Sequence, residues 1–195
     1  MDDARVSQLR QLTKGRKNVF IYGGDANRIL LEQVFPKISY ERFERALCVL
    51  DPYALDLNWN VVETAGKMGT VEIFLNFPMM DMNRTVLWWN PENASAEQQE
   101  KMTAFWGDES WRVVAYASVQ TLFGDVEQKQ PNEVIAQAFR ERLRKRAEFQ
   151  YVPQPVPMRN SRSSTVYYLF FAAQKERAEG ILVDILNKYR REGAL

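Results

Sequence analysis

Ala46-Leu47-Cys48-Val49-Leu50-Asp51-Pro52-Tyr53 is the stretch on which the fold turns. Five apolar residues run without a polar break into an acid, a proline and an aromatic. A continuous apolar run of this length suits a strand buried on both faces of a parallel sheet. Pro52 has no N–H to give to a ladder, so the strand stops at Asp51. A carboxylate and a phenol then stand at the carboxyl end of a central strand, where open parallel sheets keep their ligands.

The flanking segments supply the rest of a sheet. Asn18 to Tyr22 reads as a strand cut by Gly23-Gly24, followed by a helix from Arg28 to Phe35 that Pro36 ends. Upstream, Val6, Leu9 and Leu12 share one side of a helix over Ala4 to Lys14, with Asp2 and Asp3 at its positive end. Downstream of Asp51, Asn58 or Asn60 opens a helix that closes at Gly69, and Val71 to Leu75 is a second apolar strand ending in Asn76-Phe77-Pro78. Met79 to Trp89 reads as helix. Ser95 and Gln98 have capping-box spacing ahead of Met102, Phe105 and Trp106. Periodicity does not decide between helix and strand for Trp111 to Ala117. A helix from Asn132 carries Val134, Ile135, Ala138, Phe139 and Leu143. Phe149 to Met158 holds three prolines and is extended at an edge, and Thr165 to Ala173 is a strand that pairs antiparallel with it. Ala178, Ile181, Leu182, Ile185, Leu186 and Tyr189 mark a closing helix. Strands alternating with helices imply one α/β domain over residues 1–195, a mostly parallel sheet with helices on both faces and a C-terminal antiparallel strand pair.

Composition narrows the chemistry. The 195 residues suffice for one core, and a net charge of +1 favours neither nucleic acid nor membrane. No apolar run approaches 18 residues and the first residues lack an apolar signal region, so the expectation is a cytoplasmic protein with no membrane partner. There is no histidine and one cysteine, which excludes Ser-His-Asp and Cys-His catalysis, histidine-containing zinc sites and a thiolate cluster within the chain. No phosphate loop of the Gly-x-x-x-x-Gly-Lys type occurs. Carboxylates, Asn, Tyr, Lys and Arg are what remain for chemistry.

Several segments, in order, carry a family resemblance: Asp51-Pro52-Tyr53, Trp59, Val62-Glu63-Thr64-Ala65, Phe74-Leu75-Asn76-Phe77-Pro78, Met82-Asn83-Arg84, Met102-Thr103-Ala104-Phe105-Trp106-Gly107 and Tyr167-Tyr168-Leu169-Phe170-Phe171-Ala172. Together they resemble the three-Cys-motif partner protein family, TcmP. The resemblance implies a Rossmann-like, class I S-adenosylmethionine-dependent methyltransferase fold, a three-layer sandwich. It also implies a radical S-adenosylmethionine protein with a three-cysteine motif as partner, in a modification system that acts on nucleic acid or defends against phage. In that frame Gly24-Asp25-Ala26 matches the turn that approaches the cofactor's adenine. Asp51-Pro52-Tyr53 matches the substrate-side motif, in which an acid polarises the target amine and an aromatic stacks a flipped base. The motif carries one proline where the amine-methylating pattern has two, and Ala54 follows Tyr53. The family's glycine-rich loop for the methionine moiety has no counterpart here. Asp2 or Asp3 matches the acid expected for the ribose. The resemblance therefore implies that the first two strands of the fold are missing, as from a truncated reading frame. The strand ending at Asp51 is then left with an open apolar edge, apt to pair with a second copy or another strand. A second function class stands beside the enzyme: a partner subunit that no longer binds S-adenosylmethionine.

Plainer roles compete at each position. Asp51 could cap the following turn, and Asp25 or Asn27 could cap a helix. Asn76-Phe77-Pro78 could be a turn or could line the cleft beside Asp51. Asn83-Arg84 could meet an anion or a structural partner. Arg140, Arg142, Arg144, Lys145 and Arg146 read as a solvated helix face, with phosphate binding as the alternative. Trp88-Trp89 and Tyr167-Tyr168 read as core in preference to a stacking platform.

Overall fold

A computed structural model of the chain describes residues 3–122, 124–176 and 180. The expected helix over Ala178 to Tyr189 lies, except for Gly180, outside the described residues. The main sheet has four strands, β1 (Ala46–Leu50), β2 (Val71–Phe77), β5 (Val156–Arg159) and β6 (Thr165–Ala172), in the order β1-β2-β6-β5. β1 and β2 are parallel, while β6 runs antiparallel to both β2 and β5. This is a mixed α/β architecture with the expected antiparallel pair at its carboxyl end. The proline-bearing strand β5 takes an edge, where its missing donors cost nothing.

β2 is the central strand by burial. Val71, Ile73, Leu75 and Phe77 are fully buried, whereas Glu72, Phe74 and Asn76 are half-buried. The buried face meets helices α3 (Trp59–Met68), α5 (Ala96–Trp106) and α7 (Asn132–Lys145). Phe139 of α7 sits 4.7 Å from Phe77 and 5.4 Å from Phe170 between ring centroids, and Phe105 of α5 is 5.6 Å from Phe77. Burial of these rings dominates the core, with tilted and edge-on contacts adding to it. Local signals hold at the helix ends: Ser95 and Gln98 form the capping box of α5, and Gly69 ends α3 in the left-handed region at φ 66.

β1 departs from the expectation for its apolar run. Leu50 is buried, but Leu47 and Val49 are 58% and 66% exposed. The run is an edge strand, bare on one face among the described residues.

Asn18 to Tyr22 forms no strand, because among the described residues no neighbouring strand offers it a ladder. It is an irregular segment behind α1 (Asp3–Leu12), held by Arg10 Nη2 to Ile21 O at 3.5 Å and by Lys37 Nζ to Tyr22 Oη at 3.0 Å. Its glycine turn packs against the buried Val6 of α1. A short helix α2 (Ala26–Ile29) follows and runs on through a π-helical turn to Lys37.

Met79–Thr85 is the helix expected there, α4. Trp88 and Trp89 do not enter the core: Val86 and Leu87 take the buried positions and Trp89 stays 74% exposed. Trp111 to Ala117 resolves into a helix α6 (Trp111–Ala115) running into β3 (Tyr116–Thr121). β3 pairs with β4 (Gly124–Lys129) in a separate hairpin, fixed at its base by Tyr116 Oη to Trp88 O at 2.9 Å and Lys129 Nζ to Asn83 Oδ1 at 2.6 Å.

Candidate functional site at the carboxyl ends of β1 and β2

The parallel register pairs Leu50 with Leu75, so Asp51, just past the end of β1, lies beside Asn76, the last residue but one of β2. Asn76 Nδ2 donates to Asp51 Oδ1 at 2.7 Å. Asn76 Oδ1 is buried and finds no partner. An unmet buried acceptor is costly and invites a donor.

The loop after Asp51 is built to project Tyr53. Leu55 and Leu57 anchor it in the core. Asn27 pins it from the other side, donating through Nδ2 to Asp56 O at 3.0 Å and accepting from Asn58 N at 2.8 Å. Asp56 N closes a turn on Tyr53 O at 3.1 Å, and Ala54 takes φ 50, a left-handed conformation that costs a non-glycine residue energy. Tyr53 is thereby left 87% exposed.

Asp51, Pro52, Tyr53, Asn76, Asp81 and Tyr167 line a cleft of about 430 Å³. Asp81 comes from the first turn of α4, and Tyr167 from the start of β6, which the antiparallel pairing brings to this end of the sheet. Among the described residues lining the cleft there is no Lys or Arg. Carboxylates, an amide oxygen and phenols make an acceptor-rich wall, suited to a neutral or cationic donor such as an amine and poorly suited to a phosphate.

Asp51 and Pro52 also border a second cavity, of about 420 Å³, between β1 and the helical segment that begins at Ala26. Its walls are mostly apolar and include Ile29, Leu30, Val34, Leu57 and, from β1, Cys48, Val49 and Leu50. Burial pushes the Cys48 thiol up to about 11. Of the residues matched to an adenine turn, Ala26 lines this cavity while Gly24 and Asp25 do not. Asp25 is the N-cap of α2, its Oδ1 accepting from Asn27 N at 3.0 Å and Asn27 Nδ2 at 3.2 Å. Asp3 sits exposed in the first turn of α1 and borders neither cavity. The structure thus gathers Asp51, Pro52, Tyr53 and Ala26, and leaves Gly24, Asp25 and Asp3 aside.

Other candidates have structural partners. Asn83 donates to Asn132 Oδ1 at 3.1 Å as well as holding Lys129. The basic run of α7 is engaged within the chain: Arg140 on Val152 O at 2.6 Å, Arg144 and Lys145 on Glu141, Arg146 on Asp108. Arg142 is the buried member, paired with Asp108 at 2.7 Å and stacked 4.8 Å from the Trp59 ring. Asp81 and Tyr167 were not legible as cleft residues from sequence, although a first-turn acid after Pro78 and an aromatic opening an antiparallel strand are the signals that place them.

No protein-family model, no curated protein and no solved structure matches this chain. Among the described residues no helix is long and apolar enough to cross a membrane.

Proposed function

We propose that this chain is a methyltransferase-like partner protein of the three-Cys-motif partner type. On this reading it binds an amine-bearing planar ligand, such as an unstacked base, and works beside a radical S-adenosylmethionine protein in nucleic-acid modification or defence. The observation that carries the reading is the carboxyl edge of the sheet. Two parallel strands end in a hydrogen-bonded Asp51–Asn76 pair, Tyr53 projects beside it, and a final strand inserts antiparallel next to them. That arrangement is what the resemblance to class I methyltransferases leads one to expect on the substrate side of the sheet, and it supports the reading. The unmet Asn76 Oδ1 and the Asp51 carboxylate would accept from an exocyclic amine, and the exposed Tyr53 ring would stack on the base.

The residues present do not fit S-adenosylmethionine. The cavity behind Asp51 is mostly apolar; of its polar lining residues, Asn27 is spent on Asp56 O and Asn58 N and Asp51 on Asn76, and the Asp25 carboxylate is committed to capping α2. The sequence offers no glycine-rich turn for the methionine moiety. We therefore assign the chain a binding role and derive no methyl transfer from it. Isothermal titration of the full chain tests this: S-adenosylmethionine gives no heat of binding, while adenine- or cytosine-rich single strands bind. Micromolar affinity for the cofactor would restore the enzyme reading. Loss of strand binding in Tyr53→Ala and Asn76→Leu supports the cleft as the site, and unchanged binding in both removes it.

A further inference from the structure

We propose that the free edge of β1 pairs antiparallel with β1 of a second copy of this chain, about a twofold axis at Cys48. The inference goes beyond the ligand-binding reading and does not depend on it. β1 ends the sheet order, so one of its edges has no neighbouring strand among the described residues. Ala46 N donates to Thr70 O at 3.0 Å, across to β2. N–H and C=O groups alternate between the two edges of a strand, so Ala46, Cys48 and Leu50 turn theirs to β2, and Leu47 and Val49 turn theirs outward. The side chains of Leu47 and Val49 are the exposed apolar ones. Within β1 there is no lysine, proline or bulge of the kind that protects an edge from pairing.

The sequence around Cys48 is self-complementary. A twofold axis there sets Leu47 opposite Val49, Ala46 opposite Leu50, and Arg45 opposite Asp51 of the other copy. Leu47 and Val49 both present their main chain outward, so each such pair exchanges both of its hydrogen bonds. The apolar side chains meet on one face and unlike charges meet at both ends. Sliding the register by two residues sets Arg45 against Val49 or Asp51 against Leu47, and sliding it by one faces outward groups with inward ones. One register therefore satisfies hydrogen bonds, apolar contact and charge together. Arg45 and Asp51 are both exposed, and Asp51 holds Asn76 through Oδ1. The charge match lies within this chain, which favours a second copy over an unrelated strand.

Sedimentation of the full chain tests the proposal through a charge exchange. The wild type is expected to sediment as a dimer at about 10 μM. Arg45→Asp alone sets two acids opposite each other at both ends, and Asp51→Arg alone sets two bases; each should weaken association about tenfold or more. The exchange Arg45→Asp with Asp51→Arg restores unlike pairs and should return the dimer. Val49→Lys, which places a charge on the exposed face without touching the core, should give monomer. A wild type monomeric at about 100 μM overturns the proposal. So does a dimer indifferent to Val49→Lys, or a double exchange that stays as dissociated as the single variants.

Discussion

Arg142 and Asp108 form the pair whose disruption the structure quantifies best. The Arg142 side chain is 10% exposed and Asp108 38%, with Nη2 and Oδ2 at 2.7 Å. The guanidinium lies 4.8 Å from the Trp59 ring and 5.9 Å from that of Trp106. Burial alone would push the Asp108 carboxyl up, but hydrogen bonds from Ser110 and Arg142, with the Arg142 charge, outweigh it and hold the carboxyl down at about 2. Against the ordinary aspartate value of 3.8, that difference converts to about 2 kcal/mol. Because more than a third of Asp108 is exposed, solvent screening reduces this to about 1–1.5 kcal/mol. A depressed carboxyl stabilises the fold above its unfolded value, near pH 4, and the contribution is lost as pH falls through about 2. Asp108→Ala also strands the buried guanidinium and removes the Ser110 contacts at 2.5 and 3.0 Å. The total expected loss is about 2–3 kcal/mol. Adding Arg142→Met removes the stranded charge, so the double variant should be more stable than the sum of the two single losses by about 1 kcal/mol or more. Urea unfolding followed by tryptophan fluorescence, at pH 7 and again between pH 4 and 2, measures both effects. A loss below about 0.5 kcal/mol for Asp108→Ala, or strict additivity, would refute the reasoning.

Two further changes probe packing and burial. Gly66→Ala improves helix propensity by about 1 kcal/mol, yet the added Cβ would lie 1.8 Å from Ala147 O, so a net loss of about 3 kcal/mol is expected in thermal unfolding, and a raised Tm would contradict the packing. Cys48, its thiol pushed up to about 11 by burial, should react with Ellman's reagent at pH 7.5 about a hundredfold more slowly than a free thiol and recover speed in urea; a native rate near that of free cysteine would contradict its burial.

The elements legible in the sequence are those whose cause is local. The Ser95 capping box, the Gly69 terminator and the prolines of the β5 edge each act through residues a few positions apart, and all hold. The strand expected over Asn18 to Tyr22 failed because a strand needs a partner, which no local pattern supplies. Trp88 and Trp89 were misplaced for a related reason. Hydrophobicity says that a residue gains by burial, but the turn after α4 gives the buried positions to Val86 and Leu87 first. The β3–β4 hairpin went unread because its strands are mostly polar and exposed, leaving only Gly124 as a turn signal.

The candidate site shows the same division. Asp51 and Tyr53 are readable because Pro52 ends β1 between them, a fact of one residue's chemistry. Their partnership with Asp81 and Tyr167 depends on α4 folding back over the strand ends and on β6 inserting beside β2, neither of which has a sequence spacing. β1 joins both cases. Its unbroken apolar run reflects a strand suited to apolar contact on both faces, whereas the structure leaves Leu47 and Val49 in solvent. At about 25 cal/mol per Å² of apolar surface, that mismatch makes a free energy gain available to whatever covers the edge. The charges at Arg45 and Asp51 then decide which strand register can collect it, because a hydrophobic edge by itself is indifferent to its partner.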